Sequence, residues 1–146
     1  MTTTLLSLRE VSPSFAAGRS VHLIEAQALF VPTLADVFVE LGLQLSGVSN
    51  DVDLHGLLED QPDVLFIDSD YVAQDPLRLV NLLRTVVPEA IICVYTSERE
   101  SEWAKACHFA GANAVFSKNA VRGEILSGMR DAIVRRSYTD ERLRGD

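Results

Sequence analysis

The sequence predicts an α/β domain in which a parallel sheet of five strands carries helices on both faces. Short apolar runs alternate along the chain with segments whose apolar residues recur at helical spacing, and this alternation is typical of parallel sheets. The run "VLFI" at 64–67 has no polar interruption, as expected of a strand buried on both faces. Right-handed connections between such strands give a doubly wound, three-layer (βα)5 arrangement.

Length and composition support one domain of this kind. The chain has 146 residues, of which 47% are hydrophobic, so it can bury a sizeable core. The periodic segments begin near residue 20 and end near residue 136. We therefore predict a loosely ordered leader at 1–19, a domain at 20–136 and a polar tail at 137–146.

Five short runs are predicted as strands because they are apolar and contain many β-branched residues. They are "VHLIE" (21–25), "LQLSGV" (43–48), "DVLFID" (63–68), "AIICVYT" (90–96) and "NAVFSK" (113–118).

Helices are predicted between and after these strands. The segments 29–42 and 53–60 supply the first two, and the third begins with Asp75 as N-cap and Pro76 as its first residue. Pro88 ends that third helix.

Capping signals define the last two predicted helices. Ser97 with Glu100 fits a capping box for a fourth helix, which continues to Ala110 and ends at Gly111. A fifth helix is expected to start near Ala120.

Charge and cysteine content exclude several classes of function. A net charge of −8 and a pI near 4.8 argue against contact with nucleic acid or anionic membrane, since both need a basic face. No apolar run approaches the length of a membrane span. Cys93 and Cys107 lack a paired-motif spacing, which favours reduced thiols and a cytoplasmic protein.

Four polar side chains lie at the carboxyl ends of the predicted strands. They are Glu25, Asp68, Thr96 and Lys118, and neighbouring strand ends of such a sheet converge on one crevice. The sequence around Asp68, taken alone, fits a capping residue, a nucleophile or a metal ligand equally well. Together the four side chains predict a phosphoryl site, because a carboxylate can attack phosphorus while a hydroxyl and an ammonium offset the charge.

The stretches "LIEAQALF", "DVLFIDSD", "VYTS" and "AGANAVFSK" resemble the receiver domain of two-component response regulators. The likeness is strongest to receivers usually joined to helix-turn-helix output domains. It implies a flavodoxin-like fold, with Asp68 accepting a phosphoryl group from a histidine kinase or phosphotransfer protein. It also implies that Thr96 is the switch hydroxyl, Lys118 the phosphate-pairing lysine and Glu25 one of two metal-binding acids.

This sequence departs from the receiver pattern at three positions. Ala26 stands where the second acid is usual, Val115 replaces the aromatic residue that switches position, and Asn119 replaces a proline. Because a cis bond before a residue other than proline costs about 2.5 to 4 kcal/mol, the bond from Lys118 to Asn119 is expected to be trans. Because of Val115, we expect weak coupling between the site and the fourth helix.

The missing acid at Ala26 predicts weak Mg²⁺ binding. The expected ligands are Asp68, Glu25 acting through water, and the backbone carbonyl of Asp70, with the Asp70 carboxylate restoring part of the lost charge. The alternative role for Asp70 is to cap the loop that leads to Asp75.

Two other functions fit the same residues. A pseudo-receiver adaptor keeps the fold and binds partners without phosphorylation. A haloacid-dehalogenase-like phosphatase uses Asp68 as nucleophile and Asp70 as general acid, but such enzymes usually begin with the Asp-x-Asp strand, whereas a strand and a helix precede it here. We therefore predict a signalling domain and not an enzyme.

The expected partners are proteins. A homodimer is predicted to involve the fourth helix, the fifth strand and the fifth helix, with Trp103 and Arg122 as probes of that surface.

Overall fold

A six-stranded parallel sheet forms the middle layer of the structure, a computed structural model that describes residues 18–24, 27–49, 53–70, 72 and 75–145. The strands are β1 (Ser20–Ile24), β2 (Gln44–Ser49), β3 (Val64–Asp68), β4 (Ile91–Thr96), β5 (Ala114–Ser117) and β6 (Tyr138–Thr139). They lie in the order β2-β1-β3-β4-β5-β6, and each neighbouring pair is parallel. The doubly wound α/β prediction is confirmed, with one strand more than expected.

Helices cover both faces of this sheet. They are α1 (Val31–Leu41), α2 (Leu54–Asp60), α3 (Pro76–Val86), α4 (Ser101–Ala110) and α5 (Arg122–Arg135). Apolar residues of α1 and α5 pack with one face of the sheet in a first core. Those of α2, α3 and α4 pack with the other face in a second core, which completes the three layers.

The central strands β3 and β4 are buried along their whole length, as the uninterrupted apolar runs predict. Because both run in the same direction, their last residues, Asp68 and Thr96, emerge at the same edge of the sheet.

The capping patterns in the sequence predict the start of α3 correctly and the start of α4 wrongly. Asp75 caps α3 by accepting a hydrogen bond from the Leu77 N–H at 3.0 Å, and Pro76 is the first helical residue, as predicted. The predicted capping box at Ser97 is wrong, because Glu100 is the N-cap of α4 and the helix begins at Ser101. The N–H group of Ser97 is instead bonded to a side chain of the site described below.

The segment after α5 adds the sixth strand. Backbone N–H groups of Tyr138 and Asp140 donate to the carbonyls of Asn113 and Val115, at 3.0 and 2.9 Å. A 3-10 helix at Glu141–Leu143 comes next, and the Leu143 side chain is buried in the second core. Residues predicted as a polar tail therefore extend the sheet, on a strand too short to show any periodicity.

Other expectations concern the chain ends and the backbone. Most of the predicted leader, residues 1–17, lies outside the described residues. Among the described helices, none has both the length and the apolar character needed to cross a membrane. The described peptide bonds include no cis bond, so the one from Lys118 to Asn119 is trans, as expected.

Candidate functional site

Asp68, Thr96 and Lys118 lie at the carboxyl edge of the sheet, where three neighbouring strands end. Asp68 is the last residue of β3, Thr96 is the last of β4, and Lys118 comes directly after β5. The backbone N–H of Lys118 donates to the Thr96 carbonyl at 2.8 Å, so the two strand ends are joined at the site.

Lys118 bridges two carboxylates. Its Nζ lies 2.7 Å from Oδ1 of Asp68 and 2.8 Å from Oδ2 of Asp70. The Asp68 side chain is 2% exposed and that of Lys118 is 9% exposed, whereas Asp70 is 22% exposed. One ammonium therefore faces two acids in a place with little water, where charge interactions are stronger than at a surface.

Backbone donors fix the orientation of the Asp68 carboxylate. The N–H of Asp70 donates to Oδ1 of Asp68 at 3.1 Å, and the N–H of Gln27 donates to Oδ2 of Asp68 at 3.4 Å. Asp68 is thus held in one orientation at the carboxyl ends of the strands.

Asp70 links two loops of the site. Besides its contact with Lys118, its carboxylate accepts the backbone N–H of Ser97, at 3.3 Å to Oδ1 and 3.1 Å to Oδ2. This bond holds the start of the loop after β4 and explains why Ser97 does not cap α4. The alternative role of Asp70, as a cap for the loop toward Asp75, concerns residues 71, 73 and 74, which lie outside the described residues.

Thr96 is fully buried, and its hydroxyl is hydrogen-bonded within the loop that follows β4. The Oγ1 atom accepts the N–H of Glu98 at 3.0 Å. Thr96 therefore lies in the predicted place, but its described contacts are with the backbone of residues 98 and 118 and not with Asp68.

Two aromatic rings line the lysine. Nζ of Lys118 lies 5.1 Å from the ring centroid of Phe30 and 5.6 Å from that of Tyr95, and these rings meet edge to face at 5.4 Å. Such cation–π contacts hold an ammonium in place. Burial, with the Asp68 charge in support, raises the pKa of Tyr95 to about 12. Sequence reasoning missed both rings, although Tyr95 stands directly before Thr96.

The remaining predicted residues have different outcomes. Glu25 and Ala26 lie outside the described residues. Val115 is fully buried in β5 between Val94 and Thr139, so it is fixed within the sheet. Trp103 is partly buried against the second core.

The oxygens of Asp68 and Asp70 are the ligand type that Mg²⁺ prefers, but both carboxylates already contact Lys118. Within the described part of the chain, no group of three or more His, Cys, Asp or Glu side chains could hold a metal ion. These residues do not form a complete site without a further ligand.

Comparison with known proteins places this fold among receiver domains. No protein-family model and no curated protein sequence matches the chain. Solved structures do match: a LuxR-family response regulator from Aurantimonas sp. SI85-9A1 is 15% identical, with a TM-score of 0.75, over 85% of this chain and 91% of that one.

Two structures of RcsB from Salmonella enterica serovar Typhimurium are similar as well. The isolated REC domain with the phosphomimetic BeF3⁻ is 13% identical, with a TM-score of 0.73, over 86% of this chain and 95% of that one. RcsB bound to a promoter is also 13% identical, with a TM-score of 0.71, but the match covers only 64% of that chain. At these identities the likeness defines the fold, which is that of response-regulator receivers.

Proposed function

We propose that this chain is a receiver module that accepts a phosphoryl group on Asp68 and signals through contacts with other proteins. The observation that carries the proposal is the buried Asp68 carboxylate, oriented by two backbone N–H groups and held 2.7 Å from Lys118. The phosphodonor is a histidine kinase or a phosphotransfer protein, in a cytoplasmic setting.

The transfer needs no oxidant or reductant. An Asp68 carboxylate oxygen attacks the phosphorus of a phosphohistidine, a P–O bond forms, and the P–N bond breaks. The bonding pair goes to the imidazole, which takes a proton from solvent. Lys118 offsets the charge that gathers on the phosphoryl oxygens.

Mg²⁺ is part of the proposal as a weakly bound ion that neutralises phosphoryl oxygens when present. Asp68, the backbone carbonyl of Asp70, and Glu25 through water are the groups that would hold it. Ala26→Asp should tighten Mg²⁺ binding in a calorimetric titration and speed phosphorylation. If the titration shows tight binding in the native protein and no change in the variant, the weak site is wrong.

Intact mass spectrometry after incubation with acetyl phosphate and Mg²⁺ tests the phosphoacceptor. The native protein should gain the mass of one phosphoryl group as acetate leaves. Asp68→Asn should gain none, because Asp68, unlike Asp70, is the last residue of a central strand, beside the strand ends at Thr96 and Lys118. Retained labelling of that variant would show that the acceptor is another residue.

A constitutive adaptor is the second candidate, and one observation favours it. The Asp70 carboxylate already neutralises Lys118, so the site is satisfied without a phosphoryl group. A native protein that stays unlabelled with both acetyl phosphate and a phosphorylated histidine donor would establish this candidate over the first.

We also propose a homodimer through α4 and α5, without the fifth strand of the predicted interface, because β6 covers the β5 edge. Arg122 is a poor probe, since its guanidinium pairs with Asp36 and Glu40 of α1. Val134 of α5 is 63% exposed and makes a cleaner one. Val134→Glu should weaken the dimer in sedimentation, whereas Leu58→Glu on α2 should not; equal effects would move the interface elsewhere.

A further inference from the structure

We propose that the Asp70 carboxylate is an internal anion that occupies the donors needed by a phosphoryl group on Asp68. The inference deepens the proposed function and rests on it. It assigns Asp70 a positioning role that sets how readily the site is phosphorylated.

The first occupied donor is the Lys118 ammonium. Nζ contacts Asp70 at 2.8 Å and Asp68 at 2.7 Å, so the two carboxylates share one cation. A phosphoryl group on Asp68 extends outward from the carboxylate that already touches this ammonium. It therefore enters the space in which Asp70 meets Lys118.

The second occupied donor is the backbone N–H of Ser97. It points to both oxygens of Asp70, at 3.3 and 3.1 Å, from the first residue after β4. A lysine ammonium and a backbone N–H from adjacent strand ends form a two-donor cradle for an oxyanion. In this structure a carboxylate fills that cradle.

Charge makes the two anions competitors. Asp70 and a phosphoryl group together would place about three negative charges beside Lys118, since a phosphoryl group carries roughly −1.5 to −2 at neutral pH. Asp70 must therefore release Lys118 and the Ser97 N–H as the phosphoryl group arrives. Its carboxylate is 22% exposed, so it can turn into water.

The loop after β4 is then held in the same way before and after transfer. In the resting state Asp70 binds the Ser97 N–H, and in the phosphorylated state a phosphoryl oxygen takes its place. Asp70 thus slows phosphorylation and keeps the resting loop close to its phosphorylated position.

The rate of labelling by acetyl phosphate at saturating Mg²⁺ tests the competition. Asp70→Asn keeps the size of the side chain and removes its charge, so labelling of Asp68 should be about tenfold faster, the scale of one charged hydrogen bond. Glu98→Gln is the matched control, because it removes an exposed carboxylate from the adjacent loop, and its rate should equal that of the native protein.

Amide hydrogen exchange without any phosphodonor tests the cradle separately. Asp70→Ala should speed exchange at Ser97 several-fold, and Glu98→Gln should leave that exchange unchanged.

The outcomes separate the two proposals. If Asp70→Asn is labelled no faster than the native protein, or Ser97 exchange does not change in Asp70→Ala, the internal anion is wrong while phosphorylation stands. If neither the native protein nor Asp70→Asn is labelled, the proposed function itself fails. Labelling of Asp70→Asn alone would be the strongest support for Asp70 as a competing anion.

Discussion

Two groups of acid, cation and acid lie on either side of β5, and they differ in how the cation is shared. At the sheet edge, Lys118 contacts Asp68 and Asp70. Beside β6, Arg142 contacts Asp140 at 3.0 Å and Glu124 at 2.8 Å. Both groups contain a buried aspartate, so burial of a charge does not distinguish them.

Asp140 accepts hydrogen bonds from three described donors, as Asp68 does, but its cation is a guanidinium and not an ammonium. Its Oδ2 accepts the N–H of Ser117 at 3.2 Å, and its Oδ1 accepts both the N–H and the guanidinium of Arg142, at 2.9 and 3.0 Å. A guanidinium has five donors in a fixed fork and can serve two carboxylates at once. An ammonium is a point charge, which leaves the Lys118 group easier to rearrange.

Location and the kind of cation together distinguish the functional group from the structural one. Asp68 lies at the carboxyl end of a central strand, where parallel sheets bind ligands. Asp140 comes after an edge strand and joins that strand to the end of β5. We therefore assign the first group to chemistry and the second to stability.

The largest expected effect is the different response of the two buried aspartates to substitution by asparagine. Asp68→Asn should abolish labelling by acetyl phosphate and keep stability at or above that of the native protein, because it relieves two acids that share one lysine. Asp140→Asn should keep labelling and lower the free energy of unfolding by about 1–3 kcal/mol. Mass spectrometry measures the labelling, and urea denaturation measures the free energy of unfolding. If a fully folded Asp140→Asn variant lost labelling, the assignment of one group to chemistry and the other to stability would be wrong.

A smaller effect is expected for the arginine. Arg142→Ala should lower the free energy of unfolding by less than Asp140→Asn does, since the arginine side chain is 37% exposed and Asp140 keeps its backbone donors. Urea denaturation compares the two variants, and labelling of Asp68 should proceed at the native rate in Arg142→Ala. A change in that rate larger than the change in stability explains would show that the two groups are coupled.

The pKa values of two tyrosines report separately on the Lys118 group and the Arg142 group. Burial and the Asp68 charge raise the pKa of Tyr95, whereas burial and the Asp140 charge raise the pKa of Tyr138. Removing a neighbouring negative charge makes the phenolate easier to form, so its pKa should fall. NMR titration should show a lower Tyr95 midpoint in Asp68→Asn and a lower Tyr138 midpoint in Asp140→Asn, with no crossed effects.

The smallest effect should be the response of the protein to a phosphoryl mimic. Val115 is fixed within the sheet and Asp70 already holds the loop after β4, so amide exchange across residues 97–118 should change little on adding BeF3⁻ and Mg²⁺. Large changes across this range would show that the site drives α4 by a route other than an aromatic switch.

The sequence predicts the sheet and the site residues because both depend on long apolar runs and on the polar residues at the ends of those runs. Asp68, Thr96 and Lys118 are found this way, and so is the Asp75 start of α3. The Ser97 capping box is wrong because a distant side chain, Asp70, takes its N–H, and a local pattern cannot show such a competitor.

The second acid–cation group was beyond prediction for a related reason. Asp140 and Arg142 lie in a mainly polar stretch, and the burial of Asp140 depends on a two-residue strand that has no periodic signal. Only the tertiary position of β5 makes that strand form.

The short strand β6 also limits edge-to-edge pairing of the sheet with other copies of the protein. Every residue of β5 is buried, and a strand of this kind with an open edge is a template on which chains aggregate. β6 covers that edge, and the Arg144 Nε donates to the carbonyl of Thr139 at 2.7 Å, which occupies an acceptor of the covering strand itself. β6 therefore keeps the buried strand β5 from pairing with other chains, and detachment of β6 would expose the β5 edge.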